Sequence, residues 1–136
     1  MKEIIAIVRM NKTNETKKAI IQAGAVGLTA VKVMGRGKLV DDEAAIAERK
    51  NKLLEFAGDD QDIDTQVLID GFLTGERLFP RRLFTLMVHD EDVSKIVDAI
   101  ISVNKTDNNV GDGKVFVLPL NDAIRVRTGE SGEAAL

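Results

Sequence analysis

Two strand–helix–strand runs, held apart by one long insert, constrain this chain more than any other feature of its 136 residues. Residues 2–9 (KEIIAIVR) are β-branched and apolar with hardly a break, which predicts a buried strand. Thr13 or Asn14 is placed to cap a helix that turns Ala19, Ile20 and Ala23 to one side, and Gly24 is its C-terminal stop. Leu28 to Met34 is apolar on both faces apart from Thr29 and Lys32, as in a largely covered strand, and Gly35-Arg36-Gly37 ends it. The order then repeats. Residues 83–89 (LFTLMVH) read as a strand, and Asp90, Glu91 and Asp92 place negative charge at a helix start, where the macrodipole favours it. Val93, Ile96, Val97, Ile100 and Ile101 follow at helical spacing. A polar loop leads to a strand at Lys114–Leu118 and a last extended piece at Ala123–Arg127. The order β-α-β, insert, β-α-β predicts an α+β, ferredoxin-like βαββαβ sandwich, with one antiparallel sheet and both helices on one face. The other face then needs a cover, which an oligomer supplies most simply.

The length suits one domain covering residues 1–136, with the insert at about residues 37–81. From Lys38 to Asp64 nine acids face four bases, a net −5, so the rest of a chain of formal charge −3 carries about +2. Glu43–Phe56 is rich in helix formers and predicts a helix inside the insert. Connections this long in a small domain commonly carry function. Several function classes are excluded. Without Cys there is no disulfide, zinc–thiolate site or thiol nucleophile, which suits a reducing cytoplasm. The single histidine, His89, removes multi-histidine metal sites and leaves a Ser-His triad only one possible base. The acidic balance argues against general nucleic-acid affinity. No apolar run approaches the roughly 18 residues of a membrane span, and the apolar run in MKEIIAIVRMNK is broken by Arg9, unlike a signal peptide.

Three elements at strand ends could carry chemistry. Gly111-Asp112-Gly113-Lys114 follows a polar loop and precedes a strand. Glycines let backbone N–H groups approach a ligand, and such a concavity suits phosphate oxygens; a plain tight turn with an exposed Lys114 uses the same residues. Arg125 and Arg127 fall on one side of the last extended piece, which makes either an anion site or a charged strand edge. Gly35-Arg36-Gly37-Lys38 is a third glycine-rich strand exit bearing cations. Together the three could converge on one phosphorylated ligand. Nothing in this set requires an enzyme.

Taken in order, these residues resemble the PII signal-transduction family. MKEIIAIVR is similar to its opening strand and VGLTAVKVMGRGK to its second strand and exit; VGDGKVFVLPL is similar to its phosphate loop, and IRVRTGESGEAAL to its C-terminal end. The match covers about residues 1–38 and 80–136. The resemblance implies a homotrimer, or a hetero-oligomer with a paralogue, whose clefts between subunits bind ATP or ADP; the insert is then the family's T-loop. By motif match Gly35, Gly37, Lys38, Gly111, Asp112, Gly113, Lys114, Arg125 and Arg127 would hold nucleotide, with Thr29 and Met87 near the adenine. Mg2+ accompanies ATP in the family, and 2-oxoglutarate binds at the T-loop base. There Leu39 stands where a metal-coordinating glutamine is usual, and Arg81 where a lysine usually meets the oxoglutarate carboxylate. No metal ligand of the chain's own is expected.

Two departures narrow the resemblance. The chain has no Tyr, so tyrosine uridylylation is impossible. Its T-loop is also considerably longer than usual, as in the longer of two nitrogenase-associated PII proteins of methanogens and some anaerobes. That implies a cytoplasmic, non-enzymatic sensor of nitrogen and energy status, which inhibits nitrogenase through its T-loop together with a shorter PII paralogue. Leu53, Leu54, Phe56, Phe72 and Phe79 are the expected partner surface. The alternatives are a PII protein acting on an ammonium transporter, which would meet a membrane only through that transporter, or on another nitrogen-assimilation target. A small nucleotide-hydrolysing enzyme and a plain structural trimer are further rivals.

Overall fold

A computed structural model describes residues 1–37, 78–107 and 111–136, with Ala47, Lys50, Asn51 and Gly71 of the intervening segment. Lys38, Leu39, Leu53, Leu54, Phe56 and Phe72 lie outside the described residues, as does the expected insert helix except at Ala47, Lys50 and Asn51, which are helical. The chain divides into two compact units, Met1–Val33 with Pro80–Leu136, and Met34–Phe79.

Strands β1 (Lys2–Arg9), β2 (Thr29–Gly35), β3 (Phe79–Val88) and β4 (Lys114–Pro119) form one sheet in the order β2-β3-β1-β4. β1 runs antiparallel to both neighbours, from Lys2↔Val88 to Arg9↔Arg81 on one side and from Lys2↔Pro119 to Ile7↔Lys114 on the other. Helix α1 (Thr13–Gln22) connects β1 to β2, and α2 (Val93–Asn104) precedes β4. This is the expected ferredoxin-like α+β arrangement.

Alternation along β1 makes the core. Ile4, Ala6 and Val8 are buried with Phe84, Leu86 and Val88 of β3, under Ile20 of α1 and Ile96 and Ile100 of α2. Burying each large aliphatic side chain is worth about 1.5–3 kcal/mol. Asn104, the last residue of α2, is buried as well; its Nδ2 donates to the Thr16 hydroxyl of α1 at 2.9 Å and to the Ile100 carbonyl at 2.9 Å. That polar pair ties the helices together beneath the apolar contacts.

Several local expectations need correction. Thr13 is not a cap. The turn Met10–Lys12 is 3-10 helix and runs straight into α1, so Thr13 is already helical and its hydroxyl donates to the Met10 carbonyl at 2.7 Å. Gly24 does stop the helix. At φ +99° its N–H reaches the Ile21 carbonyl while Ala25 N–H reaches Ile20, the paired bonds of a Schellman ending. β3 begins four residues before the predicted strand, and His89 lies just beyond its end, as the residue that starts the 3-10 turn Asp90–Asp92. Ile101 is half-exposed despite its helical spacing, because the core-facing stripe of α2 is Ile96 and Ile100.

Among the described residues β2 has no cover of its own. It lies at the sheet edge, and Thr29 to Lys32 are all exposed. The last extended piece is not a strand. Residues 126–128 form a turn, only Ile124 and Ser131 make a bridge, and Arg125 and Arg127 therefore do not share one side of a strand. Glycine decides this. Gly129 at φ +72° lets the chain reverse, with its N–H and that of Thr128 both on the Arg125 carbonyl.

Candidate functional site

The glycine loop lies where α2 gives way to β4, and its shape is dictated by what it must pass. Gly113 has φ +115°, and a Cβ there would stand 2.2 Å from the Ile7 carbonyl oxygen and 3.2 Å from Val8 Cα. The loop is flush against the β1 backbone and only glycine fits. Gly111 also has positive φ, at +98°, but no described atom lies within 4 Å of where its Cβ would stand. Among the described residues no acceptor is paired with the N–H groups of Gly111, Asp112 or Gly113. Lys114, the first residue of β4, is exposed beside them. Amides with no described acceptor, on a glycine turn next to an ammonium group, form an anion cradle.

The acid within the loop is turned to protein partners. Asp112 Oδ1 accepts from the Thr106 hydroxyl at 2.6 Å and Oδ2 from the Thr106 N–H at 2.8 Å. Arg9 Nη2 stands 3.5 Å from Oδ1. Thr106, through its hydroxyl and then its amide, holds the Asp112 carboxyl below the usual aspartate value, and Arg9 adds to the effect. Arg81 donates from Nη1 to the Gly111 carbonyl at 3.2 Å, so the cation assigned by resemblance to oxoglutarate meets the glycine loop here. A groove of about 370 Å³ adjoins the loop, lined by apolar residues such as Val97, Ile100 and Val115 and by Lys105, Asp112 and Lys114. Thr29, Met87, Arg125 and Arg127 do not line it.

Those four stand elsewhere. Thr29 is exposed on the edge strand β2. Met87 pairs with Glu3 of β1 and is partly exposed on the face away from the core. Arg125 is committed to the C-terminal turn: it bonds Glu130 through Nη1 and the carbonyls of Ala134 and Leu136 through Nη2. Arg127 is exposed. Gly35 and Gly37 belong to the second unit, and Phe79 is half-buried at the start of β3. Among the described residues no group of three or more histidines or acids could hold a metal ion, and no helix is long and apolar enough to cross a membrane.

Arg9, Asn104 and Thr106 were not singled out from sequence. The only signals were a charge ending an apolar run and a threonine six residues before an aspartate; neither names its partner.

Comparison with known proteins agrees with the fold. The family described as nitrogen regulatory protein P-II matches residues 1–130. The chain is 43% identical over 136 residues to "Nitrogen fixation nifHD region GlnB-like protein 2" of Methanobacterium ivanovii, covering all of this chain and 99% of the relative. It is 38% identical over 136 residues to the "nifHD1 region GlnB-like protein 2" of Methanosarcina barkeri, again covering all of this chain and 99% of the relative. With the corresponding protein of Methanococcus maripaludis it shares 42% identity over 137 residues and the full length of both.

Proposed function

The chain belongs to the nitrogen regulatory protein P-II family, and from that premise we propose that it is a non-enzymatic sensor that binds ATP or ADP, with 2-oxoglutarate as second effector. The observation that carries the reading is the glycine loop. Gly113 is held against Ile7, the loop amides have no described acceptor, and Lys114 stands exposed beside them. Such a cradle takes phosphate oxygens through several N–H donors and one point charge. Mg2+ would enter with ATP. The family motifs alone extend the nucleotide contacts to Thr29, Met87, Arg125 and Arg127, and to Gly35, Gly37 and Lys38.

The two effectors regulate only if they bind alternative conformations with unequal affinity. In this reading the segment about residues 37–81 is the responsive element. Leu53, Leu54, Phe56, Phe72 and Phe79 meet the target, and Leu39 and Arg81 stand at the oxoglutarate position. The relatives' names place them in nitrogen-fixation regions, which favours nitrogenase as the target over an ammonium transporter, with a shorter paralogue completing the complex. Oligomerisation is supported by apolar side chains exposed in the single chain: Val31 and Met34 on β2, and Phe116 and Leu118 on β4.

Calorimetric titration with Mg-ATP, followed by 2-oxoglutarate into the ATP-loaded protein, tests the sensor. Binding of ATP, and of oxoglutarate only after it, is the expected result; absence of nucleotide binding overturns the reading. Recovery of nitrogenase activity on adding oxoglutarate to an inhibited mixture tests the target, and no inhibition at any effector concentration removes it.

A further inference from the structure

Resting on the reading of Gly111–Lys114 as a phosphate loop, we propose that Arg9 and Thr106 are positioning residues that hold this loop open to a polyanion by engaging the Asp112 carboxylate. An aspartate inside a loop that must accept phosphates is a problem, since a free carboxylate would repel the ligand. Here both carboxylate oxygens are taken up. Thr106 donates to each of them, at 2.6 and 2.8 Å, and Arg9 supplies the opposing charge. The side chain becomes an anchor, and the backbone on either side of it remains as the donor surface.

Arg9 does more than neutralise. The nitrogen that faces Asp112, Nη2, also donates to the Asn104 carbonyl at 2.8 Å, at the C-terminus of α2 where a cation is favoured. Asn104 in turn bonds Thr16, whose hydroxyl donates to the Lys12 carbonyl at 2.7 Å. A continuous polar strut thus runs from the glycine loop through the end of β1 to both helices. Arg81, the cross-strand partner of Arg9, holds the other side of the loop through the Gly111 carbonyl. Two arginines paired across a ladder repel each other unless each has its own acceptor. The loop supplies an acceptor to both, so loop position and ladder end stabilise one another.

The experiment pairs Arg9→Met, which keeps an unbranched stem and removes the charge, with Arg9→Lys and Thr106→Val. In nucleotide-free protein, amide exchange at residue 106, whose N–H donates to Asp112 Oδ2, should rise about tenfold in Arg9→Met, while exchange at Ile4–Ala6 and Ile96–Ile100 stays unchanged. By competition calorimetry ATP should weaken about tenfold and AMP less than about threefold, because the triphosphate engages more of the loop's donors. Arg9→Lys should restore part of both effects, and Thr106→Val should reproduce them at smaller size. Exchange at residue 106 that is unchanged in Arg9→Met and Thr106→Val overturns the proposal. So does faster exchange there with an unaltered ATP-to-AMP ratio, which would make the strut structural only. Wild-type protein that fails to bind Mg-ATP overturns the nucleotide reading and this proposal together; wild-type binding with variants that match it in both readouts overturns this proposal alone.

Discussion

Gly113→Ala should separate backbone strain from collision at the glycine loop. At φ +115° an alanine pays about 1–3 kcal/mol in strain. Its Cβ would also stand 2.2 Å from the Ile7 carbonyl oxygen, and both are backbone-fixed, so no rotamer relieves the contact. The loop must lift from β1, and the first rung of the β1–β4 ladder, Ile7↔Lys114, goes with it. Losing one or two hydrogen bonds there costs about 0.5–1.5 kcal/mol each. With part of the strain relaxed, the total is about 2–4 kcal/mol, a large share of the 5–15 kcal/mol typical of a domain. At about 4 °C per kcal/mol for a chain of this size, the thermal midpoint should fall by about 8–16 °C. Gly111→Ala is the internal comparison. It has φ +98° but no described atom within 4 Å, so strain alone applies, about 1–2 kcal/mol. Gly27→Ala, with neither positive φ nor a described atom within 4 Å, should be neutral or slightly stabilising. The assay is thermal unfolding by circular dichroism at one fixed protein concentration, since association shifts the midpoint. Equal shifts for Gly113→Ala and Gly111→Ala would refute the collision, and an unshifted Gly113→Ala would refute the whole account of the loop.

Other substitutions test the frame around it. Asn104→Ala removes the buried link from α2 to Thr16 and should cost about 2 kcal/mol, read as a lower urea midpoint with unchanged slope. Ile96→Ala, at a fully buried position, should cost about 2–4 kcal/mol, while half-exposed Ile101→Ala costs much less; equal losses would contradict the assigned core face of α2. The chain's ends are tied by a pH-limited cluster: the Met1 ammonium bonds Asp90 and Glu133, and His89 also bonds Glu133. The Asp90 hydrogen bond raises the Met1 amine above its ordinary 8.0, so its contribution is complete below that value and lost as pH rises through the raised one. Asp90 and Glu133 are lowered from 3.8 and 4.5, chiefly by the Met1 amine and by His89 respectively, so theirs is present above those values and lost as pH falls through the depressed ones. Amide exchange at residues 132–136, corrected for its intrinsic pH dependence, should be slowest between these limits, and acetylating Met1 should remove the alkaline limb; no change on acetylation would show that the amine does not hold the tail.

The legible parts of this fold are those where one segment's pattern suffices. Ile4, Ala6 and Val8 alternate, and Ile96 and Ile100 repeat at four, so β1 and α2 could be placed, with the face each turns to the core. The glycine loop was legible as a turn with donors. That Gly113 rather than Gly111 is the irreplaceable glycine depends on its apposition to Ile7, which only the β1–β4 register supplies. The Arg9–Asp112 contact was hidden for the same reason, since two charges so far apart in sequence meet only once β4 lies beside β1. The C-terminal piece misled because alternation in Ile124-Arg125-Val126-Arg127 looks like a strand, while the positive φ at Gly129 and the Arg125–Glu130 pairing close a turn. The reading of β2 failed differently. Apolar residues on both its faces say that the strand is covered, but not by which chain. Val31 and Met34 of β2, like Phe116 and Leu118 of β4, are exposed in the single chain. Their pattern records a demand for burial that the described helices α1 and α2 do not meet, and in a family that oligomerises the neighbouring subunit is the partner that can meet it.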